Sequence, residues 1–300
     1  MAIIPFDRLE GSIWLNGALV PWGDAKVHVL THGLHYGSSV FEGERVYGGR
    51  IFKMAEHGER LVNSCRIMGM TCPYSAQELN RAAEETVRAN GITSGYLRRV
   101  VWRGSEMMGV AAQANRINVA MASWIWPSYF APEALEKGLK LTIADWRRPA
   151  PDCAPTQAKA SGLYMICTLS KHAAENAGYN DALMLDYRGR VAEATGANIF
   201  FVRDGALHTP TPDCFLDGIT RRTVMELAAR RGIEVIERVI LPDELEGFEQ
   251  CFLTGSASEV SPVSEIGPYR FDVGALTKQL RSDYMAEAQG SVTVAVAVAG

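Results

Sequence analysis

Residues 182–208 read ALMLDYRGRVAEATGANIFFVRDGALH. Four short runs, Ala182–Asp186, Arg190–Ala192, Ile199–Val202 and Ala206–His208, are separated by Arg188-Gly189, Thr195-Gly196 and Asp204-Gly205. Such Gly-containing pairs tolerate positive φ and mark tight turns. Strands joined by so few residues run antiparallel, because a parallel neighbour needs a crossover of about a dozen residues or more. The same chemistry recurs earlier in the chain. Asn16-Gly17 joins Ile13–Leu15 to Ala18–Val20, and Gly48-Gly49 joins Val46-Tyr47 to Arg50–Phe52. Helices stand apart from these hairpins. Ser75-Ala-Gln-Glu78 has capping-box spacing, followed by Leu79, Ala83 and Val87 on one face, until Asn90-Gly91. Leu163–Ala177 reads as a helix ending at Gly178, and Thr220–Arg231 as one ending at Gly232. Hairpin-rich sheets with flanking helices predict an α+β fold with antiparallel-rich sheets, rather than a doubly wound parallel one.

The chain has 300 residues, which at roughly 150 residues per domain predicts about two domains. The stretch Trp126–Pro132, WPSYFAP, carries two prolines and three aromatic residues and reads as a connector. The expected division is an N-terminal α+β domain at 1–125, a connector at 126–136 and a C-terminal α+β domain at 137–300. Hydrophobic residues make up 47% and charged residues 21%, which excludes disordered and disulfide-scaffold classes. A net charge of −4 supplies no positive field for nucleic acid or anionic lipid. No apolar stretch of about 18 residues is present to span a membrane. The start, MAIIPFDRLEG, has neither the basic nor the apolar segment of a signal peptide. The six cysteines show no CxxC spacing and read as thiols of a reducing compartment, which points to the cytoplasm. Ser291–Gly300, SVTVAVAVAG, reads as either a last edge strand or an untethered end.

Familiar catalytic signatures are missing. There is no G-x-G-x-x-G after a strand, no G-x-x-x-x-G-K-[ST], no H-E-x-x-H and no G-x-S-x-G. His32-x-x-His35 lacks a third ligand at a matching spacing, so two hydrogen-bonded histidines are expected there and no metal site. Cys65 and Cys72 read as structural.

Basic residues comprise 23 arginines and only seven lysines, so each lysine can be weighed. Lys137, Lys140, Lys171 and Lys278 read as solvated. Lys53 ends a hairpin strand, and Lys26 lies in a strand-like run. Lys159 differs, sitting in Ala158-Lys159-Ala160-Ser161-Gly162 just before a helix. Small neighbours let it be held close to the backbone and desolvated, which lowers an amine's pKa and makes it a nucleophile toward carbonyls. Taken alone, a surface lysine reads the same way. Glu193, among the small residues Val191–Asn198, needs a cationic partner if buried, either a protonated pyridine nitrogen or an arginine. Leu216-Asp217-Gly218-Ile219-Thr220 opens a helix whose free amides suit a phosphate or a plain N-cap. Gly255-Ser256-Ala257-Ser258 ends an apolar strand with groups that suit an anion or an ordinary turn. A lysine for an aldehyde, an acid for a pyridinium and a helix start for a phosphate together match pyridoxal 5′-phosphate.

These segments, Lys159-Ala-Ser-Gly-Leu-Tyr164, Glu193-Ala-Thr-Gly-Ala-Asn198, Leu216-Asp-Gly-Ile-Thr-Arg221 and Gly255-Ser-Ala-Ser-Glu259, resemble those of fold-type IV, class IV aminotransferases. Ile13-Trp-Leu-Asn-Gly17, Asp24-Ala-Lys-Val-His28 and His35-Tyr-Gly-Ser-Ser-Val-Phe-Glu-Gly43 are similar to the branched-chain amino acid enzymes, and the likeness runs from about Ile13 to Phe271. The resemblance implies that Lys159 holds the cofactor covalently and then shuttles the substrate proton. It implies that Glu193 partners the pyridine nitrogen, Tyr164 the phenolic oxygen, and Arg60, Ile219, Thr220 and Ser256 the phosphate, with Leu216 on the ring face. Tyr96-Leu-Arg98 matches the Tyr-x-Arg pattern: Tyr96 for the α-carboxylate, Arg98 for the distal carboxylate of glutamate or 2-oxoglutarate. Tyr36, Phe41 and Gly43 match the apolar side-chain pocket. Ser256 and Ala257 offer amides to the α-carboxylate. Met108-Gly109-Val110 matches a loop that in relatives reaches over the neighbouring subunit's pocket, which implies at least a homodimer. Glu44 stands where an apolar residue is frequent. Turned inward it would repel carboxylates; turned outward it would pair with Arg45. The expected reaction is transamination between branched-chain L-amino acids and 2-oxoglutarate. A D-amino acid or (R)-amine aminotransferase is the alternative of the same fold, and a non-catalytic binding protein a more distant one.

Overall fold

Asn16 and Gly17 both adopt positive φ, 50° and 108°, and close the hairpin of β1 (Ser12–Leu15) and β2 (Ala18–Pro21), with Leu15 opposite Ala18. The computed structural model describes residues 5–290; the 291–300 tail and the first residues of the chain lie outside the described residues. A short helix α1 (His32–Tyr36) leads into the long strand β3 (Ser39–Tyr47), which turns back through β4 (Arg50–Ile51). Helices α2 (Met54–Ile67) and α3 (Ala76–Ala89) follow, then strands β5 (Ser94–Arg103) and β6 (Ile117–Trp124). The Ser75–Glu78 capping box forms: Glu78 N donates to Ser75 Oγ at 3.3 Å and Ser75 N to Glu78 Oε2 at 2.8 Å. Leu79, Ala83 and Val87 are buried as their spacing requires.

The first six strands form one sheet, ordered β2-β1-β6-β5-β3-β4 and antiparallel throughout. Side chains alternate between its faces. Val40, Val46, Leu97, Val101, Val119 and Met121 pack against Leu61 and Cys65 of α2 and Leu79 and Ala83 of α3. Phe41, Gly43, Tyr96 and Arg98 take the other face and line a cavity.

Beyond the first sheet come α4 (Pro132–Lys137), β7 (Leu139–Ile143), a 3-10 turn at Ser161–Tyr164, α5 (Met165–Asn176), β8 (Asp181–Leu185) and β9 (Val191–Ala194). These lead to β10 (Asn198–Arg203), β11 (Ala206–Pro210), α6 (Ile219–Arg230) and β12 (Val235–Arg238). The last elements are β13 (Gln250–Gly255), β14 (Glu259–Ile266), β15 (Tyr269–Arg270) and α7 (Ala275–Gln289). Together the strands form a nine-stranded sheet, ordered β12-β11-β10-β13-β14-β7-β8-β9 with β15 on β14.

Three features correct the expectation of uniform hairpins. β7–β8, β7–β14 and β11–β12 pair in parallel; α5 lies between β7 and β8 and α6 between β11 and β12, supplying the crossovers that parallel pairing requires. The Thr195-Gly196 turn does not make a hairpin. β9 pairs with β8, while β10 pairs with β11 and β13. The turn side chains bond elsewhere instead: Thr195 Oγ1 donates to Asp181 at 2.6 Å, and Asn198 Nδ2 to the Leu216 carbonyl at 2.9 Å. Only one backbone bond crosses the turn, Ala194 N to the Ala197 carbonyl at 2.8 Å, and residues 195–198 line the cavity. Third, Lys26 lies outside any strand. Among the lysines expected to be solvated, Lys171 is largely buried, with ion pairs to Asp181 and Glu175 at 3.8 and 3.6 Å.

Candidate active site

A cavity of about 640 Å³ opens between the two sheets and the 126–130 segment. Lys159 is its only lysine among the described residues. Its backbone is tied to α2 and to the first sheet, since Lys159 N donates to Ser64 Oγ at 3.1 Å and its carbonyl accepts from Phe41 N of β3 at 3.1 Å. Small neighbours permit this approach; Ala158 and Ala160 pack into the first core. The Nζ atom donates to Tyr164 Oη at 2.7 Å. Burial, then the nearby Arg60 charge, brings the amine down to about 8. The same burial, then the charge of Glu193, pushes the Tyr164 phenol up.

Glu193 lies on β9 at the opposite end of this set. Burial raises its carboxyl to about 7, against the opposing pull of Arg148 and Lys159. Arg148 Nε is 3.4 Å from Glu193 Oε1, and Asn198 Nδ2 donates to Oε2 at 3.2 Å. An arginine partner is therefore present, and the second carboxylate oxygen has only a neutral donor. Asn198 also accepts from Gly218 N at 3.1 Å, which fixes the loop before α6. Gly218 caps α6 without any side-chain hydrogen bond, and Ile219 and Thr220 of its first turn line the cavity, where an α-helix leaves backbone amides unpaired. Thr254 Oγ1 and Ser258 Oγ, also lining it, are buried without a hydrogen-bond partner. Orphaned buried donors are costly unless a ligand meets them. An uncapped helix start, orphaned hydroxyls and Arg60 together form an anion site.

One family model, described as Amino-transferase class IV, matches residues 39–266. The chain is a class IV aminotransferase. It is 41% identical to a Rickettsia felis protein described as a probable branched-chain-amino-acid aminotransferase, over 95% of this chain and 98% of that one. It is 40% identical to the Pseudomonas aeruginosa branched-chain-amino-acid aminotransferase, over 92% of each. The solved structure of the Thermobaculum terrenum branched-chain amino acid aminotransferase, in its pyridoxal phosphate form, is 30% identical, with a TM-score of 0.86 over 94% of this chain and 95% of that one.

In this aminotransferase, Arg60, Leu216, Ile219, Thr220, Ser256 and Ala257 all line the cavity with Lys159, Tyr164 and Glu193. Phe41, Gly43, Tyr96 and Arg98 form its opposite wall. The Arg98 guanidinium lies 4.6 Å from the Phe41 ring centre, its Nε has no partner, and no carboxylate pairs with it among the described residues. Tyr36 departs from expectation. It does not line its own chain's cavity but is 47% exposed on α1, because Gly37 at φ 64° reverses the chain before β3. It stacks on His32 at 4.5 Å, and His32 Nε2 bonds the Gly109 carbonyl at 2.8 Å. Tyr36 and Val110, which is 89% exposed, therefore share one surface. The two histidines are in hydrogen bonds, His35 to the Val29 carbonyl.

Glu44 takes neither expected direction. It turns to the helix-covered face and pairs with Arg99 at 2.6 Å, fully buried, while Arg45 bonds the Trp126 carbonyl at 2.9 Å. Sequence reasoning missed Arg148, Asn198, Trp126 and Tyr129, all cavity-lining. The aromatic cluster that marked the connector was the available signal for the last two.

Gly43 is required by close approach. A Cβ there would stand 1.8 Å from Tyr96 Oη, and Tyr96 is wedged beside Trp124 and Trp126. Gly43→Ala must displace Tyr96 from the wall. The expected result is a KM for leucine raised about tenfold or more, as for a misplaced methyl in a shaped pocket, with Tm lowered by only a few degrees. Steady-state kinetics and a thermal melt check both.

Proposed function

We propose that this aminotransferase moves an amino group between branched-chain L-amino acids and 2-oxoglutarate with pyridoxal 5′-phosphate. When bound, that cofactor supplies an aldehyde to take the amino group and a ring that withdraws electrons from the substrate Cα. Lys159 would hold it covalently, and the freed amine, with its lowered pKa, then carries the Cα proton. Glu193 would hold the pyridine nitrogen protonated, and Tyr164 would orient the phenolic oxygen. Arg60, Ile219, Thr220 and Ser256, all cavity-lining, would bind the phosphate, and Leu216 would cover the ring face. Tyr96, Ser256 and Ala257 would take the α-carboxylate.

One observation carries the substrate assignment. Arg98 is an unpaired cation set against the rings of Phe41 and Tyr96 inside the cavity. An apolar wall with one reachable guanidinium accepts an isobutyl group in one half-reaction and a propionate carboxylate in the other. No specific feature favours a D-amino acid or (R)-amine donor. Formation of glutamate from leucine and 2-oxoglutarate, with borohydride fixing the cofactor onto Lys159, tests the proposal. Recovery of the cofactor on another residue would contradict it.

The amine pKa gives a pH expectation. Only the neutral amine attacks an aldehyde, so attachment to cofactor-free protein should accelerate with rising pH through about 8 and then level off. A rise that continues to the ordinary lysine range, near 10.4, would contradict the burial argument.

Tyr36, Val110 and the exposed Val29, Leu34 and Met108 support a homodimer in which these residues cover the partner's cavity. The two sheets support the domain division at 1–125 and 137–300, with the 126–136 connector roofing the site. Among the described residues no helix is long and apolar enough to cross a membrane, and the six cysteines are free; both fit a cytoplasmic enzyme.

A further inference from the structure

Glu42 is fully buried yet does not line the cavity. It sits on β3 between Phe41 and Gly43, which do line it, so strand alternation turns Glu42 to the helix-covered face. There it accepts Arg60 Nε at 2.7 Å and Arg60 Nη2 at 2.8 Å. Its Oε2 also bonds His57 Nδ1 at 2.6 Å. Burial alone would raise this carboxyl, but Arg60 and His57 outweigh it and hold it well below the usual carboxylate range. The grip on Arg60 uses Nε and Nη2, so Nη1 is the guanidinium nitrogen left for a ligand. His57 reaches in the other direction, with Nε2 3.5 Å from Ser256 Oγ. Ser256 stands in the turn after β13 of the second sheet, whereas Glu42 belongs to the first. A buried line, Arg60–Glu42–His57–Ser256, thus ties a cavity-lining group on α2, which packs on the first sheet, to one after β13 of the second.

We infer that Glu42 and His57 are positioning residues that lock Arg60 and Ser256 into one phosphate cradle. This rests on the reading that the cavity takes pyridoxal 5′-phosphate. A guanidinium clamped along one edge presents the other with little freedom left to lose on binding. A serine rotamer referenced to the same clamp keeps its hydroxyl in register with that edge. Neither Glu42 nor His57 touches the ligand; both act through Arg60 and Ser256.

The test compares pyridoxal 5′-phosphate with pyridoxal, which lacks only the phosphate, on cofactor-free protein by quenching of tryptophan fluorescence. Glu42→Gln should weaken the phosphorylated ligand at least tenfold and leave pyridoxal within twofold. His57→Gln should do the same more mildly, by about threefold. In both variants the ³¹P resonance of the bound ligand should move, a change that mere loss of stability does not produce. Added to Arg60→Ala, Glu42→Gln should cost less than threefold more, because most of its effect passes through Arg60. Parent-like affinity in both variants, or equal loss for the two ligands, would overturn the inference. Should Glu42→Gln not fold, His57→Gln decides alone, since it leaves the Glu42–Arg60 pair in place. A parent protein that binds neither ligand would instead remove the functional reading, and this inference with it.

Discussion

Replacing Lys159 with alanine should lower transamination between leucine and 2-oxoglutarate by at least about a thousandfold, the scale of losing a nucleophile that is also the general base. No second amine stands ready among the described residues, because Lys159 is the only lysine lining the cavity. The remaining lysines sit elsewhere: Lys53 is paired with Glu56 at 3.2 Å, and Lys171 with Asp181 at 3.8 Å. Folding should survive the change. The side chain makes one hydrogen bond, to Tyr164, and is an amine whose burial disfavours its charge. Its loss should shift Tm by no more than a few degrees. Single-turnover measurements with leucine and the loaded variant separate lost chemistry from lost binding. Activity within tenfold of the parent would contradict the assignment.

Arg98→Met should separate the two half-reactions. Truncating one partner of a buried charge pair costs about 2–5 kcal/mol, so the KM for 2-oxoglutarate should rise about a hundredfold. The leucine half-reaction, which needs only the apolar wall, should change less than about threefold. A structural arginine would behave differently. Arg99, one residue on, is fully buried in an ion pair with Glu44 and bonds Asn80 at 2.7 Å, so its removal would destabilise the sheet. Arg98 has no such tie among the described residues. A similar loss for both substrates would mean that Arg98 shapes the cavity rather than reads a carboxylate.

The contrast between these adjacent arginines shows where sequence reading stops. Turn and cap chemistry is local, so Asn16-Gly17 and the Ser75–Glu78 box could be read directly from the residues. The cavity-lining lysine, acid and helix start also carried local marks: small neighbours around Lys159 and Glu193, and an uncapped Gly218 before α6. Partner choice is not local. Glu42 and Glu44 occupy alternate positions on β3, and only the packing of α2 and the register of β5 assign one to Arg60 and the other to Arg99. Arg148 meets Glu193 from a distant part of the chain, and no spacing rule announces it. Thr195-Gly196 has hairpin chemistry but forms part of the cavity wall, with Thr195 bonded to Asp181 and Asn198 to the Leu216 carbonyl, while β9 and β10 take other partners. Tyr36 shares a motif with Phe41 and Gly43 but is carried outward by α1, which the motif's continuity conceals.

A donor comparison bears most directly on the assigned reaction. Purified protein loaded with pyridoxal 5′-phosphate is given leucine, D-alanine or (R)-1-phenylethylamine, with 2-oxoglutarate as acceptor, and initial rates of glutamate formation are compared. Leucine should exceed the other two by at least about a hundredfold in kcat/KM, the discrimination available to a shaped apolar pocket. A dominant rate with D-alanine or the amine would contradict that assignment.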